Sequence, residues 1–299
     1  MENTVLKNGE HFLKVNGIQH WVKIKGAELR TVPIVVIHGG PGGNHYTFER
    51  TIGPLLEPLT TIIYYEQRGC GRTEPPDDRT AYSRQLLLDD LEELRKSLRL
   101  PVFIPLGYSF GGELALEYTL AYPHSVEKLI VQAPSIDDHA RMDQLKLDSF
   151  LHVSTGKMKE KIEQINSKNL STTEKLQEIW EIVDTETVDR LLFENQDFAQ
   201  LNRRLWEESG LTNRGDLARC ILRQKNSTPL LKRVHHIYQE TLVLVGQHDR
   251  NTGVSISKEV AKRIPHSSLY IFQKSAHFPD IEESEHYAKI VHKFLRLKK

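Results

Sequence analysis

The segment Gly107-Tyr108-Ser109-Phe110-Gly111-Gly112 carries the strongest chemical signal in the chain. A G-x-S-x-G pattern is short, and a glycine-rich turn with an incidental serine is the alternative interpretation. Here, however, an apolar run ends at Leu106 and a helical stretch begins at Glu113. A strand, a tight turn and a helix expose a serine hydroxyl at a strained position, and the helix N-terminus favours the negative charge of acyl transfer. The segment predicts that Ser109 is a nucleophile.

A serine needs a base to take its proton, and the base needs an acid to orient it. In a strand–turn–helix setting of this kind the order along the chain is serine, acid, histidine. Asp249 follows the apolar run 241–245, and His277 follows the run 269–272. We therefore predict His277 as the base and Asp249 as the acid. Asp137 and Asp138 follow an earlier strand and remain alternatives for the carboxylate.

Two backbone N–H groups must stabilise the oxyanion of such a reaction. The amide of Phe110, next to the nucleophile, is one candidate. The other is Gly40, in the glycine-rich segment 38–43 that follows the first buried strand. A phosphate cradle is the alternative for that segment, but the Lys-Ser/Thr ending of a P-loop and the GxGxxG spacing are both missing.

Short, continuously apolar runs indicate the elements that position these residues. They are typical of strands buried on both faces of a parallel sheet, and they cover residues 32–37, 61–65, 102–104, 129–131, 241–245 and 269–272. Residues 12–15 and 18–24 flank Asn16-Gly17, a dipeptide typical of hairpin turns. Helix-periodic stretches at 86–98, 112–121, 254–263 and 284–297 alternate with the strands and predict an α/β fold.

The alternation stops between residues 136 and 235, which are charge-rich and helix-periodic, with the clearest helices at 157–165 and 173–183. We interpret this stretch as a helical cap inserted between two strands. The predicted organisation is a core domain of residues 1–135 and 236–299 and a cap of residues 136–235.

Composition narrows the classes of partner. The 299 residues include 40 Lys and Arg and 40 Asp and Glu, so the formal net charge is zero. This charge gives no electrostatic reason to expect binding to nucleic acid or to an anionic membrane surface. No apolar run is long enough to span a bilayer, and the first residues do not resemble a signal peptide. With two cysteines, the expected location is the cytoplasm. No cofactor or metal is expected, since the paired residues at 235–236 and 248–249 lack metal-site spacing.

Together, these motifs resemble the α/β-hydrolase superfamily and, within it, the proline iminopeptidase group. The likeness rests on HGGPGG at 38–43, EQRGCGRT at 66–73, GYSFGG at 107–112, GQHD at 246–249 and SAHFPDIEE at 275–283. It implies a mostly parallel sheet with a helical cap and removal of an N-terminal residue, often proline. By matching motif it implies Ser109 as nucleophile, Asp249 as acid, His277 as base, and the amides of Gly40 and Phe110 as the oxyanion hole.

The chain departs from that group's usual motifs at several positions. Where the group usually has GGSWG, this chain has GYSFG, with Tyr108 in place of the middle glycine and Phe110 in place of the tryptophan. Where the group usually has DQRG, this chain has EQRG, which begins with Glu66. The turn 69–71 is expected near the site as a scaffold. Pro105 is unexpected in a strand, because proline cannot donate to a sheet ladder.

The cap is expected to decide the substrate. An aminopeptidase must bind a free ammonium group, which a buried pair of carboxylates facing the serine would do. Trp206-Glu207 resembles a Trp-Glu pattern of the family, so Glu207 is the candidate substrate-binding residue and Trp206 is expected in the core. The predicted function is a serine hydrolase that acts through an acyl-enzyme and removes N-terminal proline or a similar residue from short peptides. The alternatives are an esterase, lactonase or carbon–carbon bond hydrolase on a small molecule, or a binding protein without turnover.

Overall fold

A computed structural model describes residues 6–78, 80–136, 138–211, 215–222, 224 and 228–296. Its centre is one sheet of eight strands. The strands are β1 (Gly9–Val15), β2 (Ile18–Lys25), β3 (Ile34–Ile37), β4 (Ile62–Tyr65), β5 (Ile104–Tyr108), β6 (Lys128–Gln132), β7 (Glu240–Gly246) and β8 (Ser267–Phe272). They are arranged in the order β1-β2-β4-β3-β5-β6-β7-β8.

The pairs β1–β2 and β2–β4 are antiparallel, and the pairs from β4 to β8 are parallel. The predicted N-terminal hairpin and parallel sheet are therefore confirmed. The turn between β1 and β2 is Asn16-Gly17, with Asn16 at φ 46° and Gly17 at φ 83°. These positive φ angles are the ones that a tight hairpin turn between twisted strands requires.

The sheet is packed on both faces, which explains why its strands are apolar at successive positions. In β3, Val35 and Ile37 belong to one buried cluster, and Ile34 and Val36 belong to the cluster on the opposite face. Alternate residues of a strand point to opposite faces, so a central strand with two covered faces needs apolar residues throughout.

Helices cover both faces and form the segment between β6 and β7. They are α1 (Tyr46–Thr51), α2 (Gly53–Leu56), α3 (Arg84–Ser97), α4 (Phe110–Ala121), α5 (His139–Val153), α6 (Gly156–Asn166), α7 (Thr172–Ile182), α8 (Thr185–Leu192), α9 (Gln196–Ser209), α10 (Asp216–Ile221), α11 (Val254–Arg263), α12 (Pro279–Glu282) and α13 (Ser284–Arg296). Each helix in the described part of the chain is too short or too polar to be a candidate membrane span.

The six helices α5 to α10 follow one another between β6 and β7, and no strand lies in the described part of this stretch. Helices α5 to α8 have a buried apolar cluster of their own, which includes Leu147, Phe150, Ile162 and Ile179. We propose that this helical stretch is the cap, and that the residues before and after it form the core domain.

Pro105 lies inside the central strand β5, and the structure explains how the sheet accommodates it. Ile104 donates its N–H to Pro33 of the β3 side, so the missing N–H of Pro105 would point towards β6. On that side Phe103 forms an isolated bridge with Val126, and the continuous β5–β6 ladder starts at Leu106, opposite Ile130, so the pairing is interrupted at Pro105. Proline therefore occupies a strand position where no ladder donor is needed.

Candidate active site

Ser109 lies at the turn between β5 and α4, in a conformation that few L-residues adopt. Its φ and ψ are 56° and −123°. The turn is held from both sides, since the Ser109 N–H donates to the carbonyl of Gln132 and its carbonyl accepts from the N–H of Ser135. A strained backbone persists only where its surroundings fix it, and such positions concentrate at functional sites.

Glycines make this turn possible because the backbone passes very close to its neighbours. A Cβ on Gly107 would collide with the carbonyl of Gly111, and a Cβ on Gly111 would collide with the carbonyl of Ile37 at the end of β3. The elbow sequence therefore needs glycine at both positions for steric reasons.

The structure brings Asp249 and His277 together. His277 Nδ1 lies 3.0 Å from Asp249 Oδ1, and both side chains are buried. Two loop contacts set this pairing: the N–H of Gln247 donates to Phe272 O, and the N–H of His248 donates to Ser275 O. Asp138 instead lies at the exposed N-terminus of α5, where it caps Arg141 N, and Asp137 lies outside the described residues.

Asp249 is buried with several donors around it. Its oxygens accept from the hydroxyl and the N–H of Thr252 and from the N–H groups of Asn251 and Gly253. Although burial opposes the shift, His277 and these donors hold the pKa of Asp249 below its ordinary value. Asp249 is therefore held as an anion beside the imidazole, which is the state that stabilises an imidazolium.

Asn251 is a site residue that the sequence analysis did not identify. Its Nδ2 lies 3.1 Å from His277 Nε2, the nitrogen that a nucleophilic serine would need. Within the described chain, no hydrogen bond joins Ser109 Oγ to His277. With Nδ1 donating to Asp249, Nε2 is an acceptor and the Asn251 amide donates to it. The loop sequence offers no spacing signal that would have predicted this contact.

The loop that carries His277 is fastened to the helical segment by Glu282. One oxygen of this buried carboxylate accepts from Ala276 N, and the other accepts from Glu194 N and Asn195 N. The N–H of His277 itself donates to the carbonyl of Leu192, at the end of α8. The position of His277 therefore depends on helical residues as well as on the core sheet.

Gly40 lies in the loop between β3 and α1, beside the Ser109 turn. Its φ of 130° and its closeness to Gly42 N and Gly43 N would exclude a side chain. The Tyr108 hydroxyl donates to Asn44 O at 2.9 Å and holds this loop against the elbow. Phe110 begins α4, where helix N–H groups have no intrahelical partner.

A cavity of about 430 Å³ lies over these groups. Its lining includes Gly40, Ser109, Phe110 and His277, so four of the predicted site residues share one cavity. Its outer wall includes the exposed side chains of Trp180, Trp206 and Leu222. A cavity with these reactive groups and an apolar wall is the usual form of a small-molecule site.

The predictions for Trp206 and Glu207 do not match their positions. Trp206 lines the cavity and is 38% exposed, so its prediction as a core residue is wrong. Glu207 is exposed and does not line the cavity. Successive residues of an α-helix point about 100° apart, so the side of α9 that presents Asn202 and Trp206 to the cavity turns Glu207 to solvent.

The EQRG segment lies behind the site and supports it. Gln67 donates its backbone N–H to His38 Nε2 and its amide to His38 O, and burial lowers the pKa of His38 to about 4, so this ring is neutral. Arg68 makes two 2.6 Å hydrogen bonds to the buried Asp90. Burial raises the pKa of the Cys70 thiol, which keeps it in its unreactive form.

Comparison with known proteins agrees with this architecture. Residues 32–284 match the family model described as alpha/beta hydrolase fold. The chain therefore belongs to the α/β-hydrolase family, and it is a hydrolase enzyme. The resemblance to the proline iminopeptidase group is confirmed, because proteins of that name are similar to this chain over most of its length.

Two relatives carry the name proline iminopeptidase. The protein of Saccharolobus solfataricus is 25% identical, with 96% of this chain and 92% of the relative covered. The protein of Heyndrickxia coagulans is 27% identical, with 88% and 90% covered. Among solved structures, the proline iminopeptidase-related protein of Thermus thermophilus has a TM-score of 0.78 and 22% identity, with 97% and 98% covered, which is a likeness of fold.

Proposed function

We propose that the chain is a serine hydrolase that works through an acyl-enzyme, and that it removes N-terminal proline or a similar residue from short peptides. The observation that carries the mechanism is the shared cavity of Ser109 and His277, with His277 bonded to the buried Asp249. The peptide substrate is supported by the similarity to proteins named proline iminopeptidase.

The proposed reaction begins when Asn251 releases His277 Nε2. His277 then takes the proton of Ser109 as the serine oxygen attacks the carbonyl carbon, and Asp249 stabilises the imidazolium. The amides of Gly40 and Phe110 donate to the oxyanion. His277 returns the proton to the leaving amine, and a water molecule, deprotonated by the same imidazole, releases the product.

An ester, lactone or carbon–carbon bond substrate is the second candidate, and one observation favours it. Glu207, the expected ligand of a substrate ammonium group, lies exposed outside the cavity. The same triad can act on any carbonyl that enters the cavity, so this candidate changes the substrate and leaves the proposed chemistry unchanged.

Side-by-side turnover of proline p-nitroanilide and p-nitrophenyl butyrate separates the two. The peptidase proposal predicts cleavage of the anilide, and the Ser109→Ala variant should cleave neither. Cleavage of the ester alone would move the assignment to the second candidate. Turnover by Ser109→Ala equal to that of the wild type would contradict the proposed mechanism for both candidate functions.

A further inference from the structure

Lys146 is a charged residue of the cavity wall that the proposed mechanism does not use. It lies on α5, four residues after Met142 and three after Asp143, spacings that make each of them its neighbour on the helix surface, and all three line the cavity. Lys146 is partly buried. It lines the same cavity as Ser109 and His277, so one molecule bound in that cavity can reach both Ser109 and the Lys146 side chain.

Other charged groups of the cavity wall are paired within the protein. Arg84 Nε donates to Glu113 Oε1 at 2.8 Å, and both side chains are buried. The second oxygen of Glu113 accepts from the Ser135 hydroxyl at 2.7 Å, and Arg84 also donates to Ile221 O. This pair is therefore satisfied and offers little free charge to a ligand.

The aspartates of the wall also have donors. Asp143 accepts from the Thr173 hydroxyl, and Asp280 accepts from the Gln132 amide, each at 2.6 Å. Lys146 differs, because it forms neither a hydrogen bond nor an ion pair with any residue that the structure describes. A partly desolvated ammonium that no direct hydrogen bond or ion pair stabilises is unfavourable, and a ligand anion would supply that direct contact.

The charges around Lys146 indicate the class of anion. Burial lowers the pKa of Lys146, while the charges of Asp143, Asp249 and Glu113 oppose that shift. These nearby carboxylates repel a dianion more strongly than a monoanion. Phosphate sites also combine several donors, such as arginine forks or backbone N–H groups, whereas here one ammonium is free. A single carboxylate therefore fits better than a phosphate.

We propose that Lys146 binds a carboxylate of the substrate, so that the preferred substrates are short molecules with a free acid group. The carboxylate is either the C-terminus of a di- or tripeptide or an acid group on a small ester. The inference rests on the proposed function, because it assumes that the reacting carbonyl lies at Ser109. Lys146 then forms a positively charged subsite on α5. Only short peptides would fit, because the C-terminal carboxylate must lie in the same cavity as the bond that Ser109 attacks.

The test uses two pairs of substrates that differ in one charge. Prolyl-alanine is compared with prolyl-alanine amide, and p-nitrophenyl monosuccinate is compared with p-nitrophenyl butyrate. The wild-type chain should prefer the acid in at least one pair, and the pair that shows the preference tells whether the source is a peptide or an ester. In Lys146→Met, the ratio of kcat/KM for acid to neutral substrate should fall about 10- to 100-fold.

Two further variants make the result specific to this ammonium group. Lys146→Arg should retain most of the acid preference. Lys159→Met, the same change at an exposed lysine of α6, should leave the preference ratio at its wild-type value. Turnover with no acid preference, or a preference that survives in Lys146→Met, would overturn the assignment and leave the proposed reaction intact.

Binding measured without turnover separates the two proposals. Calorimetry on Ser109→Ala should show tighter binding of prolyl-alanine or monosuccinate than of its neutral partner. The added Lys146→Met change should remove that difference. If Ser109→Ala shows this difference in binding but the wild-type protein hydrolyses none of the four substrates, the carboxylate subsite is supported and the proposed hydrolysis is refuted.

Discussion

Replacing Asn251 by alanine removes the hydrogen bond that occupies His277 Nε2 in the free protein. The bond is a neutral one of 3.1 Å in a partly buried setting. A bond of this kind contributes about 1 kcal/mol net. If it must break before His277 can accept the Ser109 proton, its loss lowers the barrier by that amount, and kcat/KM should rise about fivefold.

The assay is the initial rate on proline p-nitroanilide or p-nitrophenyl butyrate, whichever is turned over. The matched control is Asn202→Ala, the same change at another asparagine of the cavity wall. The control also enlarges the cavity but leaves the bond to His277 in place, so it should not raise kcat/KM.

A fall of about fivefold or more in Asn251→Ala, without a matching fall in the control, would refute the reasoning. It would mean that the amide assists the reaction instead of competing with the serine. Asn251→Asp provides an independent check. Its carboxylate would stabilise the imidazolium, so the acid limb of the pH–rate profile should move to higher pH.

Three further changes have expected outcomes. Asp249→Asn should lower kcat by about 10⁴ with the fold retained, because the imidazole loses its orienting anion; rates and circular dichroism check this. Glu113→Gln should lower the free energy of unfolding by about 3–5 kcal/mol in urea titrations, because the buried Arg84 loses its counter-ion. Burial raises the pKa of Asp280 from 3.8 to about 6, so its contribution to stability falls as pH rises through that range. As pH rises from about 4 to about 8, the free energy of unfolding of Asp280→Asn should therefore increase relative to that of the wild type. A difference between the two proteins that does not change with pH would contradict this.

The core sheet was predictable because its strands are covered on both faces. That burial requires continuous apolar runs, and such runs are visible without any structure. The elbow was predictable for a related reason, since close backbone approach at Gly107 and Gly111 leaves glycine as the only residue that fits. The contact between Asp249 and His277 was predictable from strand order, because parallel strands bring their carboxyl ends to one edge of a sheet.

The cap was less predictable at the level of single residues. Helical periodicity indicated that helices exist there, but it does not determine which side of each helix faces the cavity. Trp206 and Glu207 illustrate the problem. They are consecutive on α9 and point about 100° apart, so Trp206 lines the cavity while Glu207 faces solvent. Lys146 and Asn251 gave no signal at all, since their roles depend on which loops and helices meet above the sheet.

Covalent labelling tests the central claim most directly. A fluorophosphonate probe reacts with a serine only where a base and an oxyanion site activate it. Intact-mass analysis and peptide mapping should find one probe per chain, attached to Ser109, with labelling lost in Ser109→Ala and greatly slowed in His277→Ala. Labelling at another serine, or none in a chain that hydrolyses its substrate, would contradict the account.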